Sequence, residues 1–237
     1  MAEPLDAPNR SSTTEPEGST DTKTSLLDAA EHLFAHEGVD RASLRAITQA
    51  AGANLAAVHY HFGSKEALVR EVLARRMNPL NQRRIELLDN VEAASDTPAI
   101  EDIVRAFVQP TLQMVQRERG GHEFARFVCR AFSEPGEGFR DIALEQFRDI
   151  VARFSAAFAR ALPGLPREEL FWRFHFMVGS MVHTAGLGFL AHRLSDGLCN
   201  PADLDGVTAR LVRFLSGGLR AEATALSTST SSEGAQG

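Results

Sequence analysis

The sequence predicts an all-α protein of about nine helices, and three observations support this. Apolar residues recur three and four positions apart, as in residues 24–37, where Leu27, Ala30, Leu33 and Phe34 share one stripe. Serine, asparagine, glycine or proline marks the segment ends, where helices start and stop. The alternating pattern of a half-buried strand is not evident. A chain of 237 residues, 43% of them hydrophobic, is long enough to bury a substantial core.

The helices are placed by these patterns together with their flanking residues. Gly38 follows the first helix as a C-terminal cap, and Gly52 permits a tight turn between the second and third. Pro110 is expected to bend the fifth helix. The predicted helices cover residues 24–37, 43–51, 54–61, 64–91, 98–119, 123–133, 139–162, 167–194 and 202–226.

Composition divides the chain into two folded units between two tails. Residues 1–22 and 227–237 are rich in small polar residues and contain little to bury, so we expect both to be disordered. Residues 23–76 form the smaller predicted unit and residues 77–226 the larger. The net charge of −6 is concentrated in the first tail, at −4, and the smaller unit carries +1. The smaller unit is therefore the part best suited to a negatively charged partner.

Several function classes find no support in the sequence. Cys129 and Cys199 are isolated, which favours a reducing cytoplasm and argues against a structural metal site. Glycine-rich phosphate loops, nucleophile elbows and Cys–His catalytic arrangements are not evident. We therefore expect no enzyme activity, no cofactor and no metal ion.

One apolar segment is long enough to raise the question of a membrane. Residues 174–191 hold no formally charged residue, but they include His175, His183 and three glycines, and Arg173 precedes them. A helix that is apolar on nearly all sides also occurs in a core or between subunits, which is the interpretation we favour. We expect no membrane partner.

The stretch that carries most information runs from residue 43 to residue 68, SLRAITQAAGANLAAVHYHFGSKEAL. It predicts two short helices joined by a turn at Gly52, which is helix-turn-helix geometry. Small residues would let these helices pack closely, and Ala56 and Ala57 leave a low profile for a DNA groove. Polar side chains around the second helix would bind phosphate oxygens. Two alternatives remain open: a helical adaptor that does not bind DNA and, more remotely, an enzyme.

This stretch resembles the DNA-binding signature of the tetracycline-repressor (TetR) family. The resemblance rests on Ala51-Gly52, a short recognition helix, His61-Phe62 and the Ser64-Lys65-Glu66 start of the next helix. The family's usual tyrosine aligns with His59, and here the aromatic residue is Tyr60, so either is a candidate for a phosphate contact. The residues expected to contact DNA are Ser43, Asn54, Leu55, Ala57, His59, Tyr60 and Lys65.

The resemblance implies a three-helix DNA-binding domain followed by a larger helical domain for ligand binding and dimerisation. It implies a homodimer in which residues 167–194 and 202–226 form a four-helix interface. A two-fold dimer would recognise an approximately palindromic double-stranded DNA operator. A small molecule bound in the larger domain would release a repressor of this kind from its operator.

Motifs in the larger unit resemble a branch of the family that includes fatty-acid-responsive repressors. They include NPLN at 78–81, AFSEP at 131–135 and LFWR at 170–173, and 13 of the 15 phenylalanines lie beyond residue 77. A fatty acyl ligand is therefore one expectation, and a planar aromatic compound sensed by an efflux-type regulator is the alternative. Arg126 and Arg130, four residues apart on one helix, could bind an acidic head group. The candidate ligand-binding residues are Phe124, Arg126, Phe127, Arg130, His175 and His183.

Overall fold

The computed structural model describes residues 17–133 and 137–223, and this part of the chain folds into nine α-helices with no strand. The all-α prediction is confirmed. The helices are α1 (Glu17–Glu37), α2 (Leu44–Ala50), α3 (Leu55–His61), α4 (Lys65–Ala94), α5 (Ile100–Arg117), α6 (Gly121–Ser133), α7 (Glu137–Ala161), α8 (Arg167–Leu194) and α9 (Leu204–Arg220).

The helix ends differ from the predicted ones at several places. Helix α1 begins at Glu17, so residues 17–22, which we assigned to the disordered tail, lie in its first turns. Lys23 helps to hold this end, because its ammonium group pairs with Glu71 at 3.4 Å. Helix α9 ends at Arg220 instead of residue 226, since Ala221 leaves the helical conformation with ψ 143°. The disorder expected for residues 1–16 and 224–237 lies outside the described residues.

Two long helices carry irregularities that bear on function. Helix α4 continues through Pro79, whose ring nitrogen has no hydrogen to donate within the helix. Helix α8, predicted as one regular helix, is kinked, because Leu187 adopts φ −126° and ψ 15°. Gly186 and Gly188 flank the kink, and glycine weakens a helix at such a point.

The buried residues form two hydrophobic cores. The first unites α1 to α3 and the start of α4 with α6 and the beginning of α7, and its centre includes Phe34 and Phe127, whose rings are 5.7 Å apart. The second unites the end of α4 with α5, α7, α8 and α9 around Phe107, Phe154 and Phe174. Helix α4 passes from one core to the other. The division of the chain at residue 76 stays a prediction, and the first core spans it.

Candidate DNA interface and ligand cavity

The helix-turn-helix is defined by three side-chain caps. Ser43 Oγ accepts a hydrogen bond from the backbone N–H of residue 46 at 3.1 Å, and Asn54 Oδ1 accepts one from residue 57 at 2.9 Å. Ser64 Oγ caps α4 in the same way. Gly52, at φ +64°, supplies the left-handed conformation of the turn between α2 and α3. Each short helix therefore begins at a residue that the sequence specifies.

Packing fixes the face that α3 presents to solvent. Ile47 of α2 and Val58 of α3 are fully buried, and Phe62 closes the unit. The exposed residues of α3 are Leu55, Ala56, His59 and Tyr60. Their spacing of one and four positions places them on a single side of the helix. The structure thus presents one outward face of α3, the element that would enter a DNA groove.

The predicted DNA contacts divide into residues on this face and residues beside it. Leu55, His59 and Tyr60 lie on the face, and Tyr60 is 77% exposed. Ala57, predicted as a contact, packs against the core, whereas Ala56, expected at the groove only as a small residue and not as a contact, is exposed on the outward face. Helical periodicity from Leu55 was the signal that would have identified Ala56. The DNA-contact assignments themselves stay predictions.

Four of the predicted contacts have structural partners within the unit, among them His59, whose ring nitrogen Nδ1 lies 3.1 Å from the backbone oxygen of Gly63. The exposed side chains of Ser43 and Asn54 are the caps of α2 and α3. Lys65 is half-buried, and its Nζ donates to the backbone oxygen of Asp40 at 3.3 Å. These side chains therefore hold the geometry of the helix-turn-helix, whatever further contacts they make.

A charged cluster joins the helix-turn-helix unit to the rest of the molecule. Glu31 of α1 is 3% exposed, and its carboxylate accepts hydrogen bonds from Arg75 and Arg76 of α4. Arg75 also donates to Asp28 at 2.7 Å. Arg76 donates to the backbone oxygen of Arg119, between α5 and α6, at 2.8 Å. The junction of α1, α4 and the α5–α6 turn is thus held by charge-assisted bonds.

The larger unit contains a cavity of about 710 Å³ between α5, α8 and α9. Apolar side chains, among them Leu112, Val115 and Leu211, form much of its wall. Gln116 is one of its polar residues, and its amide nitrogen donates to the backbone oxygen of Pro201 at 2.6 Å. A cavity of this volume with a mainly apolar wall has the character of a small-molecule site.

The six predicted ligand residues lie elsewhere, since none of them lines this cavity. Phe124 and Phe127 are buried in the first core, against α1. Arg130 donates to the backbone oxygen of His36 at 2.6 Å, and Arg126 lies 3.5 Å from the ring nitrogen Nδ1 of the same residue. Both arginines therefore lie on the side of α6 that packs against α1.

The predicted histidines of α8 also lie outside the cavity. His175 and His183 are both exposed, eight residues apart along the helix. A ligand role for the six residues remains an untested prediction.

A buried arginine is hydrogen-bonded to α5, one of the helices that form the cavity wall. Arg84 of α4 is 1% exposed, and its guanidinium donates to the backbone oxygen of Phe107 at 3.0 Å and to Thr111 Oγ1 at 2.7 Å. No carboxylate among the described residues pairs with it. Burial away from water lowers the pKa of Arg84 to about 9. Thr111 precedes Leu112 of the cavity wall in the chain, so Arg84 and the cavity share helix α5.

Helices α8 and α9 expose an unusual amount of apolar surface. Trp172 and Phe176 of α8 stack at 5.9 Å, and both are more than half exposed, as is Phe214 of α9. Among the described helices, α8 alone has the length and composition of a membrane span, and 17% of its apolar stretch is buried. One such helix is weak evidence for a membrane protein, and a partner surface explains the same pattern.

Family models match the chain over both units. The model for bacterial regulatory proteins of the tetR family covers residues 26–72. The tetracyclin repressor-like C-terminal domain model covers residues 105–218. The chain belongs to the TetR family. Its helix-turn-helix is therefore that of a family of transcriptional regulators.

Curated relatives of this TetR-family regulator match about a quarter of the chain. The HTH-type transcriptional regulator SrpR of Pseudomonas putida is 38% identical over 60 residues, which are 25% of this chain and 28% of SrpR. The match thus spans well under half of that relative's length.

Solved structures match nearly the whole chain in fold. FadR of Bacillus subtilis, in complex with stearoyl-CoA, has a TM-score of 0.61 at 14% identity, over 82% of this chain and 98% of FadR. NalD of Pseudomonas aeruginosa, the secondary repressor of the MexAB-OprM multidrug efflux pump, has a TM-score of 0.53 at 22% identity, over 85% of this chain and 97% of NalD. These likenesses extend the TetR fold over the larger unit.

Proposed function

We propose that this TetR-family regulator is a homodimeric repressor in the cytoplasm that binds an approximately palindromic DNA operator through α2 and α3. A small hydrophobic ligand in the α5–α8–α9 cavity releases it. The observation that carries the proposal is the capped α3 with one exposed face, because a helix-turn-helix places its second helix in the major groove with one side toward the base edges. The four-residue face at Leu55, Ala56, His59 and Tyr60 supplies the groove contacts.

The first test separates DNA binding from other roles of the same unit. Lys65→Ala removes one cation beside α3, so affinity falls for every DNA sequence and the salt slope decreases by about one. Tyr60→Ala removes an exposed side chain of the outward face and also weakens binding. Arg117→Ala, at the exposed end of α5, is the matched control and leaves binding unchanged. Gel-shift titrations at several salt concentrations with the upstream DNA of the gene measure these effects. Equal binding by all three variants and the unmodified chain contradicts the proposed surface.

The dimer forms through the exposed apolar side of α8 and α9. A second copy would cover Trp172, Phe176 and Phe214, whose exposure in one chain is otherwise unfavourable. A two-fold dimer presents two identical α3 helices, which is why the operator is an approximate palindrome. Phe176→Asp places a charge in this interface and yields monomers, whereas Leu144→Asp changes an exposed apolar residue of α7 and leaves the dimer intact. A mass of 25.8 kDa for the unmodified chain at micromolar concentration in light scattering would refute the dimer.

A fatty acyl compound is the ligand class we propose. The wall of the cavity is mainly apolar, and the buried Arg84, which is bound to α5 without a carboxylate partner among the described residues, favours a ligand with an anionic head. A relative of the same fold, FadR of Bacillus subtilis, was solved with stearoyl-CoA. The efflux-pump repressor NalD also shares the fold, so a planar aromatic ligand is the second candidate.

Release of DNA requires that the ligand prefer the conformation that cannot bind the operator. Each tenfold loss of operator affinity needs about 1.4 kcal/mol of this preference. Helix α4 would transmit the change, because it runs from the cap at Ser64 into the second core. A tilt of α4 alters the separation of the two α3 helices in the dimer, and both must reach their grooves together.

The ligand proposal is tested by titrating the DNA complex with acyl compounds of increasing length. Each methylene is worth about 0.8 kcal/mol of burial, or about fourfold in affinity, so release depends steeply on chain length. Val207→Trp takes up part of the cavity and weakens release, whereas Val151→Trp on α7, outside the cavity wall, leaves release unchanged. If a planar aromatic compound released the DNA and acyl compounds of every length did not, the protein would instead be assigned as an efflux-type regulator.

A further inference from the structure

Two histidines of α1 and one glutamate of α6 converge at the junction of the two units. His32 and His36 are one helical turn apart, and their ring centres are separated by 4.3 Å. Glu123 Oε1 is 3.2 Å from His32 Nδ1 and 3.9 Å from His36 Nε2. The three ligand atoms all lie within 4.8 Å of one another. All three side chains are partly exposed, so a hydrated ion can reach them from solvent.

We propose that His32, His36 and Glu123 form a binding site for a divalent transition metal ion of the Zn²⁺ class. Zinc binds imidazole nitrogen and carboxylate oxygen at about 2.0–2.2 Å in tetrahedral geometry. Ligand atoms in such a site are therefore separated by roughly 3.4 Å. The present separations need only rotation of exposed side chains to reach that value. Two imidazoles favour Zn²⁺, Ni²⁺ or Cu²⁺ over the oxygen-seeking Mg²⁺ and Ca²⁺.

Arg126, next to the three ligands, is expected to affect the metal affinity of the site. Arg126 Nη1 lies 3.5 Å from His36 Nδ1, so its positive charge competes with a metal ion for the same region. As a donor to Nδ1, Arg126 also favours the tautomer with its hydrogen on Nε2, the nitrogen that faces Glu123. Arg126 is exposed and can swing away when a metal ion binds. Its removal should therefore strengthen metal binding.

A metal ion here would connect the two units. Helix α1 packs on α2 and α3, whereas α6 belongs to the larger unit, and the three ligands come from both. None of the three lines the 710 Å³ cavity, so the metal site is separate from the proposed organic-ligand site. An ion bound by all three stabilises the described arrangement of α1 against α6 relative to any arrangement that separates them.

The test is Zn²⁺ titration of the full-length chain without an affinity tag, in competition with a chromophoric chelator. All proteins carry Cys199→Ser, because cysteine thiolates bind zinc and the thiol of Cys199 is exposed. His36→Gln and Glu123→Gln should each lose at least roughly tenfold in affinity. Arg126→Ala should gain affinity. His175→Gln, which removes an exposed histidine of α8, is the matched control and should bind like the parent.

The expected losses must occur without a change of fold, so unfolding temperatures are compared in the presence of a chelator. Equal zinc affinity in His36→Gln, Glu123→Gln and the parent would overturn the site. A loss in His175→Gln equal to that in His36→Gln would also overturn it, because the ion would then be bound elsewhere.

Hydrogen exchange tests the connection between the two units. Zn²⁺ should slow exchange in the last turn of α1 and the first turn of α6 in the parent but not in Glu123→Gln. Equal protection in both proteins would show that the ion binds without linking α1 to α6. This result would overturn the proposal that the metal ion connects the two units. This readout needs no operator, so its failure is distinct from a failure of the proposed DNA-binding function.

Discussion

Neutralising Glu31 should destabilise the protein substantially without removing any apolar contact. Glu31 is 3% exposed and bound by Arg75 and Arg76. Removing one partner of a fully buried ion pair costs about 3–5 kcal/mol, because the other charge stays buried. Here the side chains of Arg75 and Arg76 remain 26% and 19% exposed, and each keeps a second acceptor. We therefore expect about 2 kcal/mol for Glu31→Gln.

This loss is large enough to measure by thermal unfolding. A loss of 1 kcal/mol lowers the Tm by about 2–4 °C in a protein of this size, so Glu31→Gln should lower it by about 4–8 °C. Far-UV circular dichroism of the chain without DNA or ligand is the assay. Glu71→Gln is the control. Glu71 is exposed, and among the described residues its one ion-pair partner is Lys23 at 3.4 Å, which predicts a change within about 0.5 kcal/mol. Equal Tm values for the two variants would refute the idea that the buried cluster stabilises the junction.

Three further predictions concern a cap, a glycine and an ion pair. Asn54→Ala removes the cap of α3 and should cost about 1 kcal/mol in urea unfolding together with a loss of DNA affinity; full retention of both would show that the cap is dispensable. Gly121→Ala places a methyl group 2.2 Å from the backbone oxygen of Met114 and should lower the free energy of unfolding by about 1–3 kcal/mol. The control is Gly164→Ala, whose added methyl group meets nothing within 4 Å and should leave stability unchanged. Equal Tm values for the two variants would contradict this prediction. Hydrogen bonds from Arg220, supported by the backbone, lower the pKa of Glu101 to about 2, so the stabilisation is present above pH 4.5 and lost as the pH falls toward 2. Glu101→Gln should flatten the dependence of unfolding free energy on pH in this window, and an unchanged slope would argue against the pair.

The order of the helices was predictable because short-range patterns determine it. Ser43, Asn54 and Ser64 were read from the sequence as helix starts, and all three accept the capping hydrogen bond. The kink at Leu187 was missed, since glycines within an apolar run indicate close packing as readily as a break. The first turns of α1 were missed because residues 17–22 are polar and carry no apolar stripe.

The ligand cavity was less predictable because it depends on which side of each helix turns inward. Arg126 and Arg130 were correctly placed four residues apart on α6, but that side faces α1. The pair of His32 and His36 was visible in the sequence as a one-turn spacing. Its third partner, Glu123, is 91 residues from His32, and only the packing of α6 on α1 brings it there. Long-range contacts of this kind are set by tertiary packing and leave no local signal.

The first hydrophobic core limits how readily the helix-turn-helix unit can be replaced by that of another regulator. Phe34 of α1 packs on Phe127 of α6, so the helix-turn-helix completes its interior with side chains supplied from the second half of the chain. A chimera that grafted residues 23–76 onto the body of another regulator would place Phe34 against a foreign α6. Exchange of residues 23–76 therefore disturbs the packing of the first core, whereas substitutions at the four outward residues of α3 leave that packing unchanged.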